Sequence, residues 1–407
     1  MSSPSRSDLS PDTLESGIPE GHAALDLFQL SPDLIHLNHG SYGAVPKVIA
    51  QEQDSWRAHI EKNPTGFFKD ELTAALRRLA GVAAQRFGGE AEDWVFVENA
   101  TSAVNAVLAS FGLRDGDEIV TTSHAYGAVL KAMRIWAQRF GAKVVVAQVP
   151  MMLENEEQVI AAITRAFSPH SKVLVVDHIT SATAAIFPVA KIAAAAKARG
   201  IAVLVDGAHV PGHLPLDVRA IGADWYTGNA HKWLFAPKGC GVLWTAPARQ
   251  AQTLPTVLSH GAPEGYTQAF DWIGTRDVTP WLCFEAASRF HETLGGERLM
   301  ARNRTLARVA AERLAGELGM RITAPAAMRG AMACVTLRTL PGAAADAAAL
   351  AAAIRKCCNA IIPVYRFEDA LCVRISAQIY NAESDYERLI DGVRAALQNA
   401  AQHAVQQ

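Results

Sequence analysis

Lys232 stands in the run TGNAHKWLFAPKGCGVLW, with a small polar stretch before it and Gly/Pro-rich turns after it. Most lysines are solvated, so a surface loop is the competing reading of this one. Its companion is Asp206-Gly207-Ala208-His209, which ends a fully apolar run about one βαβ step earlier. A third cluster, Val97-Glu98-Asn99-Ala100-Thr101-Ser102, leaves another apolar run and enters the helical pattern AVNAVLAS. An amine, a buried acid and a cradle of small residues at a helix N-terminus are the parts that pyridoxal phosphate (PLP) requires. The lysine holds the aldehyde, and the carboxylate keeps the pyridine nitrogen protonated so that the ring draws in the electrons of a substrate carbanion. Backbone N–H groups at the helix start take the phosphate.

Those clusters need strands to carry them. Between residues 31 and 285 short β-rich runs (DWVFVEN, DEIVTTS, KVVVAQV, KVLVVDH, IAVLVDG, GVLWTA) alternate with segments of helical spacing such as 125–140 and 189–199. This alternation predicts βαβ units and a mostly parallel sheet covered by helices. KVLVVDH and IAVLVDG are continuous aliphatic runs, as parallel strands buried on both faces must be, and are expected at the sheet centre. In open sheets ligands bind beyond the C-terminal strand ends, marked here by Asp177-His178, Asp206 to His209 and Glu98 to Thr101. From residue 286 the pattern shifts to one long helical region, 290–318, and then to the strands ACVTLRT and LCVRISAQ with an Ala-rich helix, 343–354, between them. The expected division is an N-terminal arm, 1–30, loosely held because it is rich in Ser, Pro, Asp and Gly, a large domain, 31–285, and a small α/β domain, 286–407.

At 407 residues, two domains are the prior expectation. A net charge of −2 with interspersed acids and bases offers no field for nucleic acid or an anionic membrane, so neither is an expected partner and the ligand should be small. The N-terminus lacks the order of a signal peptide and no apolar run reaches the roughly 18 residues of a membrane helix, which predicts a cytoplasmic protein. The six cysteines lack CxxC spacing and read as reduced core residues. Asp206, His209, His213 and His231 cluster as metal ligands do, but their spacing matches no zinc pattern such as HExxH, and no metal is expected.

The sequence resembles the class V aminotransferase-like PLP enzymes, which include cysteine desulfurases, kynureninase and isopenicillin N epimerase. The resemblance runs from LNHGSYGAVP near residue 40 to RISAQIYN at residue 374, with the motifs in the family's order. LNHGSYG, the GTRD at Gly274 to Asp277 and RISAQIYN bring it to the isopenicillin N epimerase-like branch. The resemblance implies an α/β fold of the PLP-dependent transferase kind (fold type I, aspartate aminotransferase-like), with a mostly parallel seven-stranded sheet between helices and a smaller C-terminal α/β domain. It implies that Lys232 binds PLP as a Schiff base and shuttles the α-proton, that Asp206 pairs with the pyridine nitrogen, and that His209 bonds the ring's phenolic oxygen. Ala100 and Thr101 would hold the phosphate, joined by His231 and by Asn229, which stands where cysteine desulfurases usually show Ser. Tyr126 falls where the family places a ring over the cofactor; the alternative is a helix-start tyrosine packed on the core. Thr275 matches a threonine that reaches the neighbouring subunit's phosphate, which implies a homodimer with shared active sites. Arg374 matches the clamp on the substrate's α-carboxylate, a bidentate task that Lys does poorly. Ser181 is expected near the ring oxygen, and Asn38 with His39 along the substrate pocket. There His39 serves as a second acid or base, or else merely bonds backbone at a turn.

The reaction turns on which groups return a proton to an amino-acid substrate. Racemisation needs delivery on both faces, Lys232 on one and Tyr126 or His39 on the other. A carbon–sulfur β-lyase, of the cysteine-conjugate or sulfoxide type, needs one base and a leaving group, and transamination uses Lys232 to move the proton to the cofactor's own carbon. Desulfuration needs a thiol on a loop shortly before the carboxylate-binding arginine, and AIIPVYRFEDAL has none. The resemblance puts an epimerase or racemase first, a β-lyase second and an aminotransferase third. A PLP-binding scaffold or regulator would need an added DNA-binding or partner segment, and neither helix-turn-helix character nor a basic stripe is visible. Reading of the substrate side chain is expected from loops such as 63–68 and 266–272.

Overall fold

In the computed structural model, which describes residues 17–337 and 346–405, a two-residue strand, β1 (Ile35–His36), precedes one large sheet. Its strands are β2 (Trp94–Val97), β3 (Glu118–Thr122), β4 (Lys143–Ala147), β5 (Ser171–Asp177), β6 (Ala202–Gly207), β7 (Trp225–Asn229) and β8 (Gly241–Thr245), laid in the order β2-β8-β7-β6-β5-β3-β4. β3 to β7 pair parallel, and β8 runs antiparallel to both of its neighbours. The aliphatic runs lie at the centre because side chains alternate in direction along a strand. Val203 and Val205 of β6 enter one apolar cluster while Ala202 and Leu204 enter another, and β5 divides in the same way between Leu174 and Val176 and Val173 and Val175. Helices therefore cover both faces, as a parallel sheet requires.

The C-terminal part forms a second sheet from β9 (Arg321–Ile322), β10 (Met332–Leu337), β12 (Val364–Phe367) and β13 (Ala370–Ser376), antiparallel in the order β12-β13-β10-β9. Strand β11 (Ala360–Ile361) pairs parallel with β1, and Ile35 and Leu37 join the apolar cluster of the C-terminal strands. The start of the expected large domain thus packs with the small one. Two helical expectations also change. The region 290–318 belongs to two helices, Phe284–Thr293 and Glu297–Leu318, broken where Gly295 and Gly296 adopt φ of 104° and 55°. The Ala-rich helix is Ala347–Cys358, running past 354 to a left-handed Asn359, while 343–345 lie outside the described residues.

The arm reading fails over 17–30. A 3₁₀ turn at Gly21–Leu27 buries Ala24, and Phe28 packs on Phe235 and Tyr380, so apolar side chains anchor this stretch; residues 1–16 lie outside the described ones. All six cysteines are free, but Cys357 is exposed and Cys358 half-buried at a helix end, so the core reading holds for the other four only. No described helix is long and apolar enough to cross a membrane.

Candidate active site

A cavity of about 750 Å³ opens at the C-terminal strand ends, lined by Ala100, Thr101, Tyr126, Ser181, Asp206, His209, Asn229, His231 and Lys232. Asn38, His39, Thr275 and Arg374 do not line it. Lys232 lies just past β7, where burial pulls its amine down to about 8 against the opposing pull of Asp206. Its Nζ is 3.4 Å from His209 Nε2. Asp206, at the end of β6, is 3% exposed and accepts a 2.9 Å hydrogen bond from the Ala208 N–H. Burial raises its pKa, and the Lys232 charge holds it back. Position 207 must be glycine because any Cβ there would run into the Tyr226 ring. His209 Nδ1 is buried without a hydrogen-bond partner. That nitrogen is shut off from the cavity, whereas Nε2, turned toward Lys232, is the one that a ring's polar oxygen would meet.

Asn99 caps the helix Ala100–Ser110 and accepts from the Ser102 N–H at 3.0 Å. The Ala100 N–H is already used: it donates to Asn229 Oδ1 at 2.8 Å. Ala100 therefore has no N–H left for an anion, and through the same bond Asn229, which also lines the cavity, ties β7 to the helix start. The Thr101 N–H has no acceptor among the described residues and is open to a phosphate. His231, pushed down to about 4 mainly by burial, bonds the Cys240 carbonyl through Nδ1 at 3.2 Å. Glu98 would repel an anion here, but it pairs with Arg276, whose guanidinium lies 4.5 Å from the Trp281 ring centroid. Thr275, beside it, is exposed.

LNHGSYG is divided: Ser41 and Tyr42 line the cavity, while His39 and Gly43 brace the lysine's backbone. The His39 Nε2–H donates to the Lys232 carbonyl at 2.9 Å, and Nδ1 accepts from the Tyr380 hydroxyl at 2.9 Å. Both nitrogens are occupied and burial pushes the ring down to about 3, so His39 is not a second acid or base. Gly43, with φ of 68°, lies so close to the Lys232 backbone that a Cβ would strike the His231 and Lys232 carbonyls. Asn38 acts on Arg374 instead of lining the cavity, its Oδ1 accepting from Nη2 at 3.3 Å.

Arg374, on β13, is 4% exposed and opens on a smaller hollow of about 270 Å³ that shares Tyr126 and Ser181 with the main cavity. It donates to the Ser181 carbonyl at 2.6 Å and to Ser41 Oγ at 2.9 Å, while its Nε is buried without a partner. No carboxylate among the described residues pairs with it. A buried guanidinium held only by neutral acceptors is short of an anion. Tyr126 is 46% exposed at the start of the helix Gly127–Phe140, so it does not pack on the core. The sequence reading missed Ser41, although it lies inside the quoted LNHGSYG. The segments 63–68 and 266–272, expected as loops, are largely helical and absent from the cavity wall, and Tyr266 is buried in the core.

His39, His124, His178, His213, His231 and His291 are all held by burial at about 3 or 4, below their ordinary 6.5. The unfolded chain takes up these protons near 6.5, whereas the folded one takes them up only near 3 or 4. The stability they contribute is therefore complete above 6.5 and is lost as pH falls toward 4. Asp177, Asp206 and Asp271, raised by burial, the last to about 6, act in the opposite direction over part of that range. With seven lowered imidazoles, His209 included, against three raised carboxyls, the melting temperature should drop by several degrees between about pH 7 and about pH 5. Thermal unfolding at each pH checks this, and a flat or rising profile would contradict it.

A strand-end cavity with a buried lysine, a facing aspartate and an open helix N-terminus defines a PLP-dependent enzyme of fold type I. Residues 41–389 match the aminotransferase class-V family, and the chain belongs to that family. It is 31% identical over 382 residues to isopenicillin N epimerase from Streptomyces clavuligerus, covering 90% of this chain and 96% of that protein. It is also 27% identical over 392 residues to L-cysteine desulfhydrase from Arabidopsis thaliana, covering 88% of this chain and 86% of that one. The cysteine desulfurase CsdA from Escherichia coli has a similar fold, with a TM-score of 0.75 at 21% identity over 92% of this chain and 97% of that one.

Proposed function

We propose that the protein is an amino-acid epimerase or racemase of the isopenicillin N epimerase kind. The observation that carries this reading is the placement of two proton-bearing side chains on one cavity. In the strand order, Lys232 follows β7 and Tyr126 follows β3, with β6 and β5, and hence Asp206 and Asp177, between them. The bound cofactor supplies the electron sink that loosens the α C–H bond. The Lys232 amine, brought to about 8, is partly unprotonated near neutral pH and takes the proton on its side. The Tyr126 hydroxyl returns one from the other side, and Arg374 holds the substrate's carboxylate. Asp206 sits where it would pair with the ring nitrogen, and Thr101 and His231 where they would meet the phosphate. The exposed Tyr42, Val257 and Leu258 beside the cavity mouth support a homodimer in which Thr275 serves the partner's phosphate site.

A carbon–sulfur β-lyase is the second reading, favoured by the match to an L-cysteine desulfhydrase. Incubating the holoenzyme with single amino acids in deuterium oxide separates the two. Inverted, α-deuterated substrate supports the epimerase, while pyruvate with ammonia overturns it in favour of the lyase, and keto acid alone would indicate transamination. Arg374→Ala should raise KM for such substrates by roughly one to two orders of magnitude and leave amines without a carboxylate little affected. An equal loss with both substrate types would remove the carboxylate role.

A further inference from the structure

β5 and β6 lie in a parallel register that pairs Asp177 with Asp206. Both carboxyls are buried, at 5% and 3% exposure, and both line the cavity. Asp206 has a use there, opposite the ring nitrogen, whereas Asp177 has none in the chemistry above. The backbone N–H of Tyr126, the residue that begins the helix Gly127–Phe140, faces Asp177 and pulls its pKa down. The charged groups facing it are Asp206 from β6 and Lys232 from beyond β7, and the helix contributes only that N–H. Two carboxylates side by side in a dry pocket, with one lysine to share, do not both stay ionised. Burial and the adjacent Asp206 both push Asp177 well above the usual carboxylate range. Asp206, steadied by the Ala208 N–H and by Lys232, is the one better able to hold a charge.

We propose that Asp177 is a positioning residue present as the neutral acid: its carboxyl ties the Tyr126 turn to the end of β5, and its lack of charge leaves Asp206 as the sole anion beneath the ring nitrogen. This rests on the cofactor being seated between Lys232 and Asp206 and is independent of the reaction that follows.

The test uses Asp177→Asn and Asp177→Ala holoenzymes, with three readouts: hydrogen exchange at the Tyr126 amide, cofactor affinity, and the pH dependence of the bound cofactor's visible absorbance. Asparagine keeps the acceptor oxygen and carries no charge. It should preserve Tyr126 protection, the absorbance profile, and cofactor affinity within about twofold. Alanine should release the Tyr126 amide and weaken cofactor binding by about tenfold, the scale of one lost hydrogen bond. A shifted absorbance profile in Asp177→Asn would show that the aspartate is charged and overturn the proposal. An unchanged Tyr126 amide in Asp177→Ala would overturn the tie. If the alanine variant does not fold, the wild-type amide still decides, since exchange at the unprotected rate means that no bond is present. None of these readouts depends on the product formed, so a failed epimerase assignment would leave this result standing.

Discussion

Lys232→Ala is expected to abolish covalent retention of the cofactor and to slow α-proton exchange by about four orders of magnitude. The expectation comes from the lysine's double use. On the proposed reading the amine is the nucleophile that holds the aldehyde, and its lowered pKa leaves part of it unprotonated to serve as the base. His209, 3.4 Å away, is no substitute, because burial and the neighbouring positive charges keep its ring well below 6.5. Borohydride reduction followed by mass spectrometry reads the first effect, and deuterium uptake reads the second. Cofactor still fixed to the alanine variant would place the attachment elsewhere and undo the assignment of the site.

Tyr126→Phe should separate two events that the wild type performs together. Exchange of the α-proton with solvent persists, because Lys232 still removes and returns it on one side. Inversion of configuration falls by about two to four orders of magnitude, the usual contribution of a general acid or base. The ring stays on the cavity wall and only the hydroxyl is lost. His39 cannot take over, with both of its nitrogens engaged by Lys232 and Tyr380. Chiral chromatography alongside deuterium counting measures the ratio of the two rates. If inversion and exchange decline in parallel, Tyr126 is not the second proton carrier. If β-elimination is the true reaction, the same change should leave pyruvate release largely intact.

Six of the seven strands of the main sheet could be read from their aliphatic runs, and with them the carboxylate at 206 and the cradle after β2. The strand that leads directly to Lys232 could not. β7 reads WYTGN, whose small and polar residues answer to tertiary demands: Thr227 bonds the Val242 carbonyl at 2.8 Å, and a Cβ at Gly228 would strike Pro211. Local propensity carries no trace of such constraints. The Gly295-Gly296 break could have been read, since consecutive glycines seldom continue a helix. The site residues were found by motif, but their roles depend on which atom meets which neighbour. Asn38 and His39 stand in the expected motif, yet they face Arg374 and the lysine's own carbonyl. Ala100 is in the expected cradle, yet its N–H is already taken. A one-dimensional pattern gives the address of such residues and not their hydrogen-bond partners.

The bridge at His39 brings together parts of the chain separated by 193 and 341 positions, ending at Tyr380. The main sheet is finished by Thr245, yet the imidazole that braces the lysine's carbonyl is itself held on its other nitrogen by Tyr380, far beyond that sheet. The backbone beneath the reactive amine is thus steadied from the far end of the chain through one imidazole.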